Sequence, residues 1–206
     1  MRIVNRFLLA VAAGTLLLAG AHSIPSPAAA SGPQQPVIVF LLRHAEKAPA
    51  PPKDPALTDA GSARAAALAD LLGGAGITHL FASEFVRTQQ TLAPLSARVG
   101  IEVAAIGAAK PDDLVAQLRR LPAGSVAVVA GHSNTIPALV RALGGTLDGT
   151  MQGSGGEQLP DDEYGRLIEL ILPAPEQQQH GAEPTAAAAR GTTAAVKSLR
   201  LHVGAR

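Results

Sequence analysis

Val37-Ile38-Val39-Phe40-Leu41-Leu42 runs without a polar break into Arg43-His44-Ala45-Glu46-Lys47. Six apolar residues, several of them β-branched or aromatic, are the pattern of a strand covered on both faces. An Arg-His pair at the end of such a strand is costly. Burial without partners penalises each polar group by roughly several kcal/mol. The same arrangement recurs where Ser125-Val126-Ala127-Val128-Val129-Ala130 leads into Gly131-His132-Ser133-Asn134. Two polar strand ends in one small chain predict a shared pocket at the carboxyl edge of a sheet, where open α/β folds place their ligands.

The segments between these strands read as helices and turns. Ala48 to Pro55 is proline-rich and predicts an irregular loop. Thr58 is placed to N-cap a helix over about Ala60 to Leu72, with Asp59 in its first turn and Gly73-Gly74 as its stop. Ile77 to Ala82 is a second strand. Phe85 to Val99 is a helix, interrupted or kinked near Pro94. Ile101 to Ile106 is a third strand, and Pro111 opens a helix through about Leu121. Asn134 to Leu143 is the helix after the Ser125 strand. Residues 146–163 are Gly-rich and acidic and read as a surface loop, followed by a strand at Leu167–Leu172. Pro173 to Thr193 is low in complexity, with Gln177-Gln178-Gln179 and an alanine run, and reads as a loop. Val196 to Val203 predicts a last edge strand. Alternating strands and helices give an α/β class with a largely parallel central sheet.

The chain has 206 residues, a formal net charge of +1, four Phe, one Tyr and no Trp. The core is therefore aliphatic. No basic run with interleaved aromatics points to nucleic acid. The absence of cysteine excludes disulfides, thiolate metal sites and a Cys nucleophile. Arg2 and Arg6, the apolar Phe7–Ala21 and the small residues at Ala21-His22-Ser23 or Ala28-Ala29-Ala30 form an export-signal pattern. The expected organisation is a signal peptide over residues 1–30, then one domain over 31–206, located in the periplasm or secreted. No stable membrane span is expected after cleavage.

Arg43-His44-Ala45-Glu46-Lys47, Leu57-Thr58-Asp59-Ala60-Gly61, Ser83-Glu84-Phe85-Val86-Arg87-Thr88-Gln89-Gln90-Thr91 and Gly131-His132-Ser133 occur in this order. Together they resemble the histidine phosphatase superfamily, which includes phosphoglycerate mutases and SixA-like phosphatases. The resemblance implies a phosphoglycerate mutase-like, three-layer α/β/α fold. It implies hydrolysis of small phosphate esters through a phosphohistidine, with no cofactor and no metal.

In chemical terms, His44 offers a ring nitrogen for in-line attack on phosphorus. The nitrogen must be unprotonated, and neighbouring cations favour that. Arg43 and Arg87 offer planar forks to the phosphoryl oxygens, where charge builds in the transition state. Protonated His132 adds a third donor. Ser83 and Thr88 are hydroxyl donors within reach of that motif, although Ser83 also suits a helix cap. The leaving group needs a proton. Glu84 is the first candidate to supply it, and Glu46 the second. Asp112 and Asp113 suit the dipole of their helix. His79, His180 and His202 read as structural or exposed. The short interval between Arg87 and His132 disfavours mutase activity, and nothing between Lys47 and His132 is long enough for a substrate-capping domain. Two other readings remain: a phospholigand-binding protein of the same fold without catalysis, and a serine hydrolase using Ser133 in Gly131-His132-Ser133-Asn134-Thr135.

Overall fold

A computed structural model describes residues 35–173 and 195–200. The export-signal pattern and nearly all of the low-complexity stretch therefore lie outside the described residues. The apolar run forms β1 (Val37–Arg43). It is followed by α1 (Asp59–Leu72), β2 (His79–Ala82), α2 (Val86–Val99), β3 (Val103–Ala105), α3 (Pro111–Arg119), β4 (Val126–Gly131) and α4 (Thr135–Ala142). A small hairpin, β5 (Met151–Gly153) and β6 (Gly156–Gln158), precedes β7 (Arg166–Leu172) and β8 (Ala195–Arg200).

Six strands make the main sheet in the order β3-β2-β4-β1-β7-β8. β1, β2, β3 and β4 pair in parallel, whereas β7 runs antiparallel to β1, and β8 antiparallel to β7. In register, Arg43 lies beside Gly131 and Ala82 beside Ala130. The ends of β1, β2 and β4, and hence Arg43, Ser83 and His132, arrive at one edge.

Alternation along β1 explains the layers. Val37, Val39 and Leu41 join Leu118 of α3 and Ile136, Leu139 and Val140 of α4 in one core. Leu42 joins Leu68 and Leu72 of α1 and Leu92 and Leu95 of α2 in the other. The sheet is thus covered by α1 and α2 on one face and by α3 and α4 on the opposite face. This is the three-layer arrangement expected.

Thr58 caps α1 as expected, accepting a hydrogen bond from Gly61 N at 3.1 Å. α1 also packs directly on the backbone that follows His44, and a Cβ at Gly61 would overlap the Glu46 carbonyl. α2 passes through Pro94 unbroken, held on either side by Leu92 and Leu95, which are wholly buried. Two expectations need correction. β3 keeps only three residues, because it is an edge strand with one neighbour and its Ala104 and Ala105 face solvent. Residues 146–163 are more than a surface loop: they contain the hairpin, and Leu159 is fully buried, its N–H bonded to Ser133 O at 2.8 Å.

Candidate active site

His44 is 3 % exposed at the end of β1. Its Nδ1 lies 2.8 Å from Ala45 O. A carbonyl only accepts, so Nδ1 carries the proton and, in the neutral ring, Nε2 holds a lone pair. Burial, followed by the charges of Arg43, His132 and Arg87, lowers the pKa of His44 to about 4, although the bond to Ala45 opposes the shift. The ring is therefore neutral at physiological pH. Cations were expected to keep it so; burial contributes more than they do. The backbone here is fixed from α2: Ala45 N donates to Thr91 Oγ1 at 3.0 Å, and Thr91 donates to Arg87 O at 2.7 Å.

His132 faces His44 across 5.5 Å between ring centroids. Phe85 stands edge-on to it at 5.2 Å. Its Nε2 is 2.9 Å from Ser83 Oγ, which is 2.8 Å from Thr88 Oγ1. Thr88 gives its only proton to Phe85 O at 2.7 Å. Ser83 must then donate to Thr88, so His132 Nε2 donates to Ser83. Desolvation, reinforced by Arg87 and Arg43 and opposed by Glu84, lowers the pKa of His132 to about 4. His132 is thus neutral by itself, with Nδ1 unprotonated, where a protonated donor is expected opposite a phosphoryl dianion. A bound dianion would raise its pKa and make it a second donor. Ser83 needs correction. It caps no helix, because Phe85 holds the cap position of α2 without a side-chain bond.

Arg43 is buried. Its Nη1 donates to Pro160 O at 3.0 Å and Asp161 O at 2.9 Å, and its guanidinium lies 4.3 Å from the centre of the Tyr164 ring. Arg87 lies over Phe85 at 4.3 Å and pairs with Asp54 at 3.5 Å. Asp54 also accepts from Val86 N at 3.0 Å, so it closes the first turn of α2 from the proline-rich loop. Nε of both arginines is buried without a hydrogen-bond partner, so each keeps unused donor capacity beside His44.

The two acid candidates separate clearly. Glu46 accepts from Arg64 Nε at 2.9 Å and Nη2 at 2.6 Å, and that pairing holds its carboxyl below the ordinary range. A carboxylate held ionised in this way is less ready to supply a proton, which leaves Glu84 as the first candidate. The partner of Glu46 is Arg64 of α1. Glu84 is exposed, its Oε2 bonded to Ala108 N at 2.7 Å, and its charge acts on His132 and Arg87. Among the described residues, no group of three or more His, Cys, Asp or Glu is arranged to hold a metal ion, and no helix is long and apolar enough to cross a membrane. Among the described residues no His bonds the Ser133 hydroxyl, and the position where a nucleophile elbow would carry Gly is Thr135, whose Oγ1 accepts from His132 N at 2.8 Å. His180 and His202 lie outside the described residues. His79 stacks on Phe81 away from the site, as expected.

Asp54, Tyr164, Thr91 and the carbonyls of Pro160 and Asp161 complete the site and were not anticipated. Thr91 is the last residue of the Ser83–Thr91 motif, so that motif did hold a signal. The rest come from loops whose course only the fold decides.

Comparison with known proteins agrees with this geometry. Residues 39–107 match the family model of the histidine phosphatase superfamily, branch 1. No curated protein matches the chain. Among solved structures, mycobacterial hydrolase 2 is 15% identical with a TM-score of 0.54, over 82% of this chain and 92% of that one. A mycobacterial glucosyl-3-phosphoglycerate phosphatase is 18% identical with a TM-score of 0.51, over 66% of this chain and 91% of that one. The protein histidine phosphatase SixA complexed with tungstate is 22% identical with a TM-score of 0.48, over 65% of this chain and 86% of that one. The first two likenesses show the fold. Residues 39–107, which hold three of the four motifs, are thus similar to the histidine phosphatase superfamily, and the α/β fold around them is that of the first two structures.

Proposed function

We propose that this chain is a phosphomonoester hydrolase acting through His44. The observation that carries the reading is a neutral imidazole whose Nδ1 is tied to Ala45 O, leaving Nε2 as a nucleophile beside two guanidinium groups. The family match supports phosphatase activity as such. In the first step Nε2 attacks phosphorus in line, the P–N bond forms and the ester P–O bond breaks. The electron pair leaves with the ester oxygen, which takes a proton from Glu84 or from a water that Glu84 positions. Arg43, Arg87 and the newly protonated His132 balance the charge on the phosphoryl oxygens. In the second step water attacks the phosphohistidine and gives a proton to the Glu84 carboxylate, directly or through a further water, which restores the acid. The P–N bond breaks, phosphate leaves, and His44 regains its lone pair.

These cations supply the charge that a metal would otherwise supply, so the reaction is proposed to need none. Export is proposed from the pattern in residues 1–30, and with it a periplasmic or secreted location and small phosphate esters met there as substrates.

The test is phosphate release from an aryl phosphate by the full chain, by His44→Ala and by Ser133→Ala, with and without a chelator. Release lost with His44→Ala, kept in Ser133→Ala and indifferent to chelation is the expected result. An active His44→Ala protein would overturn the mechanism. Phosphate binding without any turnover would favour the phospholigand-binding reading.

A further inference from the structure

A small cavity of about 40 Å³, open to solvent on one side, lies between the sheet and α3, against the site. His132 and Ser83 form its polar wall, and Ile106, Leu114, Ile136 and Leu139 line the rest. The His132 ring therefore belongs both to this cavity and to the pair it makes with His44 at 5.5 Å. Ala108, at the same cavity, holds Glu84 Oε2. An ester oxygen that leaves beside Glu84 leaves at this opening.

We infer that the cavity receives the leaving group and selects esters of short, unhydroxylated alkyl alcohols; this rests on the phosphatase reading above. The argument concerns hydrogen-bond supply. The Ser83 hydroxyl is committed to His132 and Thr88. The Thr135 hydroxyl, also on the lining, is committed to His132 N at 2.8 Å. The Ala108 N–H is committed to Glu84. Lys110 is the one charged side chain on the lining, and it is exposed. A polyol or sugar entering this space would surrender most of its water, with only His132 Nδ1 and the Lys110 ammonium left to compensate. A methylene chain gains from the same walls, by roughly fourfold in affinity for each CH₂ buried.

The experiment measures the affinity of the full chain for methyl-, propyl-, butyl- and hexylphosphonate and for 2,3-dihydroxypropylphosphonate by calorimetry. Affinity is expected to rise roughly two- to fourfold per CH₂ until the cavity is filled, with the dihydroxypropyl compound no tighter than methyl. Leu114→Phe should flatten the rise, and Leu114→Ala should carry it to longer chains, with thermal melting to show that each variant folds. Methylphosphonate binding with no dependence on chain length would overturn the leaving-group assignment alone, as would a rise that both Leu114 variants leave unmoved. Failure of every phosphonate to bind would overturn the phosphoryl site itself.

Discussion

Asp54 joins Arg87 at 3.5 Å while the same carboxylate receives the backbone N–H of Val86 at 3.0 Å. One residue of the proline-rich loop thus sets both the start of α2 and the direction of the arginine that α2 presents. The two duties respond differently to substitution. Asp54→Asn keeps an acceptor for Val86 N but removes the charge facing Arg87. A partly exposed pair of this kind contributes about 0.2–1 kcal/mol. KM for an aryl phosphate should therefore rise by up to about fivefold with little change in melting temperature. Asp54→Ala removes the cap as well and should lower the melting temperature too. Steady-state kinetics and thermal melts on both variants check this.

The two histidines give the reaction an acidic range. Both pKa values fall to about 4, so the free enzyme retains an unprotonated Nε2 well below the ordinary histidine pKa. The acid limb of kcat/KM should lie near 4, once the substrate's own ionisation near about pH 6 is divided out. A limb at the ordinary histidine value would contradict the burial argument. Stability carries the same sign. In the unfolded chain these rings take up protons at the ordinary value, and in the folded one only near 4. Their stabilising effect is complete above the unfolded pKa and is lost progressively as pH falls toward 4. Denaturant midpoints should fall across that window, and less steeply in His44→Ala.

Glu84 and Glu46 are separable by leaving group. If Glu84 serves proton transfer, Glu84→Gln should slow alkyl phosphates far more than aryl phosphates with acidic phenols, by a factor on the order of 10²–10⁴ for the former. Glu46→Gln should lower stability through its pair with Arg64 and slow both kinds of ester alike. Rates across a series of leaving groups, together with melts, decide the matter.

Gly61 is where α1 meets the backbone after His44, with no room for a methyl group. Gly61→Ala should cost about 1–3 kcal/mol by overpacking, despite the better helix propensity of alanine. Activity should fall along with stability, because the displaced segment carries His44 and Ala45. Denaturant titration and phosphate release on the same preparation check this.

Arg43, His44, Arg87 and His132 were legible because each follows or opens an element whose periodicity is plain, and a polar side chain at such a position has few innocuous explanations. The sheet was legible for the same reason: β1 and β4 are continuous apolar runs. Asp54 was not, since a loop of several prolines has no period from which its course can be read. Pro160 and Asp161 act through backbone carbonyls, which every residue possesses. Ser83 fell between the two cases. Its motif was visible, but Glu84 and Phe85 intervene before α2 begins, so the cap position passes to Phe85 and the hydroxyl is left for His132.

The antiparallel course of β7 has a consequence for how this site can vary. A parallel strand next to β1 would be entered from the far side of the sheet, some 20 Å away for seven residues. Because β7 runs the other way, with Leu167 beside Leu42, the chain enters it directly over the Arg43 end of β1. Tyr164 and the carbonyls that hold Arg43 come from this entry segment. Residues added between β6 and β7 would grow as a roof over the phosphoryl position while every buried strand kept its neighbours. Substrate size can therefore be retuned at this junction without rebuilding the core.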